Sequence, residues 1–77
     1  MMDEKTVEIT TTFIKLDNFL KFAGVCSTGG EAKVRIKEEE FAVNGEVCTM
    51  RGKKLYPGDT IVAGGERFRV VGGTGGE

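Results

Sequence analysis

The chain has 77 residues, with 11 Lys and Arg against 12 Asp and Glu, and a formal net charge of -1. Only 39% of the residues are hydrophobic and 12 are glycines, which is enough for one small domain with a modest core. No stretch approaches the roughly 20 apolar residues that span a bilayer, and the acidic start "MMDEKTVEIT" lacks the basic and apolar regions of a signal peptide, so we expect a cytoplasmic protein with no membrane partner.

The first part of the chain predicts one strand and a helix. The segment "TVEITTT" is rich in β-branched residues and is typical of a strand. The segment "KLDNFLKFAG" then changes to a helical period, which places Leu16, Phe19 and Leu20 on one face. Gly24 follows at the position of a helix C-cap.

A second helix is predicted in "TGGEAKVRIKEE". Thr28 stands three residues before Glu31, which is the pattern of a capping box. Ala32 and Ile36 are one turn apart and should face the core. The two helices are therefore expected to pack together through short apolar faces.

The second half of the chain predicts two β-hairpins. "FAVNGEVCT" turns at Asn44-Gly45, "YPGD" is a turn, and "TIVAGGERFRVV" turns at Gly64-Gly65. The predicted fold class is α+β, with an N-terminal strand, two packed helices and a small antiparallel sheet of two hairpins. We expect a single domain over residues 1–71 and a flexible, Gly-rich tail over residues 72–77.

The charges are segregated along the chain. Residues 13–37 carry +3, residues 38–50 carry -4 and residues 51–69 carry +3. The acidic run Glu38–Glu40 separates the two basic segments. Such segregation is typical of a local anion-binding face on a protein whose net charge is close to zero.

Two groups of cations are candidates for that face. Lys33 and Lys37 are four residues apart on the second predicted helix, where they repel each other unless an anion neutralises them, whereas Arg35 is placed to pair with Glu31. Arg51, Lys53 and Lys54 surround a glycine in the loop "TMRGKKLYPGD". Clusters of this kind bind polyanion backbones, because neutralised phosphates release counterions. A solvated helix face and a solubilising loop are the ordinary alternatives.

The sequence contains no evident set of catalytic residues. There is no His, and the two cysteines, Cys26 and Cys48, are far apart, so general acid–base catalysis, thiol catalysis, a metal site and a cofactor are not expected. Both cysteines are better explained as small apolar residues near the core. "STGGEAK" does not have the spacing of a phosphate-binding loop. We therefore expect a binding protein rather than an enzyme.

The order of motifs resembles a known family. The pattern L-D-x-x-L-x-x-x-G-x-x-x-[ST]-x-x-x-A-x-x-x-I, followed by V-N-G and later G-D, is matched at Leu16-Asp17, Leu20, Gly24, Thr28, Ala32, Ile36, Val43–Gly45 and Gly58-Asp59. It is similar to the RNA-binding domain named after the small-subunit ribosomal protein S-four (the αL motif). The match covers about residues 13–70, and the loop "MRGKKLYPGD" resembles that of small stand-alone bacterial members.

The resemblance implies a positively charged surface on structured RNA, either ribosomal, otherwise ribosome-associated or tRNA-like, and it makes the ribosomal subunit a candidate partner. The implied RNA-binding residues are Lys15 before the L-D pair, Lys33 and Lys37 on the second helix, and Arg51, Lys53 and Lys54 in the loop. Many members have S-R where this chain has Thr28-Gly29, so one cation is missing. Gly29 and Gly30 instead leave bare N–H groups at a helix N-terminus, which is a candidate phosphate site. Glu39 stands where the family pattern has Gly, and it makes the C-terminal end of the second helix acidic.

Three functions remain open at this point. The first is recognition of structured RNA by shape through phosphate contacts; with one Tyr and no Trp, base stacking on aromatic side chains is not expected. The second is a protein-interaction adaptor in ribosome assembly or recycling, which the acidic run suggests. The third is DNA binding, since phosphate contacts do not separate the two polymers. We favour a monomer.

Overall fold

Two helices pack against a mixed sheet in the computed structural model, which describes residues 4–72. In chain order the elements are β1 (Glu4–Ile9), β2 (Ile14–Lys15), α1 (Leu16–Phe22), α2 (Gly29–Lys37), β3 (Phe41–Val43), β4 (Glu46–Val47), β5 (Lys54–Leu55), β6 (Thr60–Ala63) and β7 (Glu66–Gly72). The predicted α+β fold with two helices and two hairpins is confirmed. Of the predicted tail, Gly72 ends β7, and residues 73–77 lie outside the described residues.

The main sheet has the strand order β1-β7-β6-β3-β4. The pairs β3–β4, β3–β6 and β6–β7 are antiparallel, whereas β1 pairs in parallel with β7, with Val7 opposite Val70. The two predicted hairpins thus form an antiparallel sheet, and the N-terminal strand, whose partner was not predicted, makes the sheet mixed. The register of β1 follows from burial, because Val7 and Val70 both point into the core.

A second, two-stranded ribbon was not predicted. β2 and β5 pair antiparallel, with Ile14 opposite Leu55 and Lys15 opposite Lys54. Each strand has only two residues. A segment of that length shows no period of two, so the sequence could not distinguish it from the adjoining helix and loop.

The end of α1 and the start of α2 lie where the sequence predicts them. Gly24 follows α1 with φ +82°, and its N–H and that of Val25 donate to carbonyls of the last turn, as in a Schellman motif. At the start of α2 the Thr28 hydroxyl accepts from the Glu31 N–H at 3.1 Å. The Glu31 carboxylate accepts in return from the Ser27 N–H at 2.9 Å, one residue earlier than in the usual capping box.

The end of α2 has the same hydrogen bonds with a different residue at the turn. Glu39 donates to the Ile36 carbonyl and Glu40 to that of Arg35, so that Glu39 takes a left-handed conformation with φ 63°. Glycine is the usual residue there, because a Cβ makes this conformation unfavourable. The departure of Glu39 from the family pattern thus falls on a strained backbone position.

The core joins the inner face of the main sheet to the helices. Phe19 of α1 meets Phe68 of β7 edge-on, with ring centroids 5.9 Å apart. Cys26 is buried and Cys48 packs against the core, both as free thiols, as predicted. No helix within residues 4–72 is long and apolar enough to cross a membrane.

Candidate nucleic-acid interface

The cations of this protein fall into a paired and an unpaired group. Lys5 pairs with Glu66 at 2.9 Å, Arg69 with Glu4 at 3.1 Å, and Arg35 with two carboxylates. Within residues 4–72 the other cations have no carboxylate oxygen within 4.0 Å: Lys15, Lys21, Lys33, Lys37, Arg51, Lys53, Lys54 and Arg67. All of these except Arg67 lie on the helices, the β2–β5 ribbon or the loop before β5, and every basic residue predicted for RNA is among them.

The ribbon brings two predicted residues together. Lys15 of β2 and Lys54 of β5 are direct cross-strand neighbours, and both are exposed. Like charges in this position repel each other. The Lys54 Nζ lies 4.9 Å from the centroid of the Phe13 ring, which places that ammonium beside an aromatic face rather than beside a carboxylate.

Backbone hydrogen bonds attach the basic loop to the start of α1. The Leu16 N–H donates to the Lys53 carbonyl at 2.9 Å, and the Asp17 N–H donates to the Arg51 carbonyl at 3.1 Å. The first donors of α1 are thereby satisfied by the loop, so this helix N-terminus is not a free anion site. The same bonds hold the loop backbone in place, and the side chains of Arg51, Lys53 and Lys54 are exposed.

Arg35 has a structural role that separates it from the lysines of the same helix. Its guanidinium donates to the carboxylates of Glu40 at 2.9 Å and Glu31 at 3.5 Å and to the Val25 carbonyl at 3.0 Å, and it lies 5.2 Å from the Phe41 ring centroid. The hydrogen bond with Glu40 raises the pKa of Arg35. Burial raises the pKa of the nearby Cys26 thiol, although the positive charge of Arg35 opposes this effect.

Lys33 and Lys37 are exposed on α2. Neither makes an ion pair or a side-chain hydrogen bond within residues 4–72. The two basic groups are connected through α1, which packs against α2 and is hydrogen-bonded to the loop.

The sequence did not reveal that Lys21 of α1 lies beside the N-terminus of α2. Its Nζ lies 3.8 Å from the position that a Cβ on Gly29 would take. The N–H groups of Gly29 and Gly30 stand in the first turn, where no intrahelical acceptor exists. A lysine from α1 therefore lies where the family pattern has an arginine on α2. The signal in the sequence was the position of Lys21 in the last turn of the first helix, but only the packing of the two helices shows what it approaches.

The V-N-G and G-D motifs build the fold next to this surface. The Asn44 Nδ2 donates to Asp59 Oδ1 at 3.2 Å, and the Thr60 N–H donates to Asn44 Oδ1 at 3.0 Å. Asp59 Oδ2 also accepts from the Tyr56 N–H at 2.8 Å. These bonds join the first hairpin to the turn that follows β5, so both motifs position the basic segment.

This combination of fold and motifs defines a domain of the αL class, and comparison with known families identifies it. Residues 7–71 match the model of the S4 domain, and the chain belongs to this family. The resemblance seen in the sequence is thus confirmed.

Its relatives are small proteins of similar length. The chain is 44% identical over 66 residues, covering 84% of this chain and 93% of the relative, to the "Probable ribosome maturation protein RlbA" of Bacillus subtilis (strain 168). It is 33% identical over 58 residues, covering 75% and 83%, to the "Putative RNA-binding protein YbcJ" of Escherichia coli (strain K12). The solution structure of YbcJ, described as having an αL motif involved in RNA-binding, matches with a TM-score of 0.63 and 28% identity over 92% of this chain and 89% of that one.

Proposed function

We propose that this protein binds structured RNA, either ribosomal or ribosome-associated, through a basic face formed by α1, α2 and the 51–54 loop, and that it does so in the cytoplasm without catalysing a reaction. The observation that carries the proposal is the distribution of ion pairs. Two of the sheet's three cations are neutralised by carboxylates, whereas every exposed lysine of the helices, ribbon and loop lacks such a partner within residues 4–72.

Phosphate binding explains why these lysines have no partners. Lys33 and Lys37 repel each other across one helical turn, and so do Lys15 and Lys54 across the ribbon. An RNA backbone supplies the missing anions, and it releases condensed counterions when it binds. The proposed face therefore has Lys15, Lys33, Lys37, Arg51, Lys53 and Lys54 on phosphates, with the N–H groups of Gly29 and Gly30 and the ammonium of Lys21 at one further phosphate.

The names of the relatives support the RNA partner. RlbA is named for ribosome maturation and YbcJ for RNA binding. The ribosomal subunit or a precursor of its RNA is consequently the partner that we propose, with this protein acting as a monomer.

The adaptor hypothesis loses part of its sequence cue. Of the acidic run, Glu40 pairs with Arg35 at 2.9 Å, so its carboxylate is explained without a protein partner. Glu39 lies at a turn where glycine is usual, so the turn does not explain its carboxylate. DNA binding is tested by competition with a DNA duplex of equal length, because a protein that reads the shape of an RNA helix should prefer RNA.

The charge-reversal variant Lys53→Glu tests the proposal against a matched control, Arg67→Glu. Both side chains are exposed and unpaired within residues 4–72, and both changes alter the net charge equally, but Arg67 lies on the main sheet. Affinity for a ribosomal RNA helix is measured by filter binding between about 50 and 200 mM salt. Loss of one phosphate contact should weaken binding about tenfold for Lys53→Glu and make the log–log salt slope shallower by about 1.

Arg67→Glu should change the affinity far less. Equal losses in both variants would show that only the net charge matters and would remove the proposed face. An affinity that does not change with salt would exclude phosphate contacts altogether.

A further inference from the structure

The β2–β5 ribbon carries aromatic side chains beside its lysine pair. Phe13 directly precedes β2 and Tyr56 directly follows β5, and the Lys54 Nζ lies 4.9 Å from the centroid of the Phe13 ring. The Phe13 and Tyr56 rings are in contact, with centroids 5.8 Å apart and an interplanar angle of 50°. One small surface thus combines two aromatic rings with two ammonium groups.

Tyr56 is the open member of the aromatic pair. It is 44% exposed, whereas Phe13 is half-buried behind it. An exposed ring that is supported by a second ring presents a flat apolar face to solvent, and the base of an unpaired nucleotide is the flat apolar group that such a face stacks on.

The backbone at Tyr56 is fixed before any ligand binds. Its N–H donates to Asp59 Oδ2 at 2.8 Å, and its carbonyl accepts from the Asp59 N–H at 2.9 Å. Gly58 takes φ +101° in this turn, a conformation that other residues rarely adopt. Neither hydrogen bond involves the phenol ring, so the side chain can be replaced while the turn is kept.

The charges of the ribbon favour a phosphate, which accompanies the base in a nucleotide. Lys15 and Lys54 face each other with no carboxylate in reach within residues 4–72. A phosphate between them would remove their repulsion. If Lys54 turned toward that phosphate, its ammonium would leave the Phe13 ring, where it lies 4.9 Å from the centroid.

We propose that this ribbon binds one unpaired nucleotide of the RNA, with the base stacked on Tyr56 and the adjacent phosphate held by Lys15 and Lys54. The inference rests on the proposed RNA-binding function and adds a ligand class to it: helical RNA with a bulged or single-stranded nucleotide, rather than a continuous duplex. It also revises the expectation that base stacking is absent, because counting tyrosines overlooked the contribution of Phe13.

The test compares two RNA hairpins that are identical except for one bulged 2-aminopurine. Stacking on an aromatic side chain contributes about 1–3 kcal/mol per base, so the wild-type protein should bind the bulged hairpin about tenfold more tightly than the paired one. Binding should also quench the 2-aminopurine fluorescence. Tyr56→Leu should bind both hairpins with the affinity of the wild type for the paired one, whereas Tyr56→Phe should behave as the wild type.

Phe22→Leu is the matched control, since Phe22 is an exposed aromatic residue, 64% accessible, at the end of α1, and it does not belong to the Phe13–Tyr56 pair. It should retain the preference for the bulged hairpin. A wild-type protein that binds both hairpins equally and in a salt-dependent manner, without quenching, overturns the nucleotide site and leaves the proposed function intact. Binding to neither hairpin overturns both.

A loss of affinity in Tyr56→Leu that is equal for both hairpins would assign Tyr56 a structural role and also overturn the site. The quenching measurement on the wild-type protein does not depend on the folding of any variant.

Discussion

The sheet and the helical side of this protein use positive charge in opposite ways. On the sheet, Lys5 is paired with Glu66 and Arg69 with Glu4, so the charges are largely neutralised within the fold. On the helices, ribbon and loop, the lysines are exposed and unpaired within residues 4–72, and two pairs of them lie close enough to repel each other. A net charge of -1 conceals this difference, because total charge says nothing about pairing.

The paired and the unpaired cations are expected to contribute differently to stability and to binding. Exposed ion pairs contribute at most about 1 kcal/mol each, so the paired cations of the sheet are not a large source of stability. The repulsive lysine pairs cost a few tenths of a kcal/mol each in the free protein. Residues that weaken a fold persist most readily where a ligand needs them, which is why the unpaired lysines are the residues that we propose for RNA binding.

The largest expected effect on stability comes from Arg35, which is the one helical cation within residues 4–72 that belongs to the paired group. Arg35→Met keeps the apolar stem but leaves Glu40 and the Val25 carbonyl without their donor, so the free energy of unfolding should fall by about 1.5–3 kcal/mol. Lys33→Met on the same helix should change it by less than about 0.5 kcal/mol. Urea denaturation measures both. Equal effects of the two substitutions would contradict the division into structural and binding cations.

Much of the fold could be predicted because its signals are local. Leu16, Leu20, Ala32 and Ile36, which carry the family motif, are all fully buried, so the pattern that revealed the family is the pattern of its core. The Asn44-Gly45 turn is equally local. By contrast, the parallel pairing of β1 with β7 joins residues more than sixty positions apart, and nothing in either segment specifies its partner.

For the same reason, only part of the candidate site could be predicted from the sequence. The lysine clusters at 33–37 and 51–54 could be read from spacing, but the pairing of Lys15 with Lys54 and the approach of Lys21 to Gly29 depend on tertiary packing. Phe13 and Tyr56 are likewise far apart in sequence and adjacent in space. Sequence reasoning therefore found charges on single elements and missed the contacts between elements.

The acidic run at the end of α2 offers a second way to sharpen the comparison. Glu39→Gly and Glu38→Gly remove the same charge, but only Glu39 has a positive φ, of 63°, whereas Glu38 has φ -84°. Relief of the left-handed strain should stabilise Glu39→Gly by about 1 kcal/mol, while Glu38→Gly should destabilise by about 0.5–1 kcal/mol. Urea denaturation again measures the change.

The RNA affinity of these two variants tests whether the carboxylates at the C-terminal end of α2 weaken binding to the basic face. A larger gain of affinity in Glu39→Gly than in Glu38→Gly would place that carboxylate next to the RNA. If both variants lose stability, the left-handed conformation of Glu39 is not a source of strain.

Lys33→Glu is expected to change the stability only a little, and the sign of the change is the informative part. The substitution replaces the repulsion between Lys33 and Lys37 by an attraction in the favourable i, i+4 orientation, which should raise the free energy of unfolding by about 0.5 kcal/mol. The same variant should bind RNA about tenfold more weakly if Lys33 contacts a phosphate. Urea denaturation and filter binding on one preparation give both values. A variant that gains stability and keeps its affinity would remove α2 from the RNA surface and confine that surface to the ribbon and the loop.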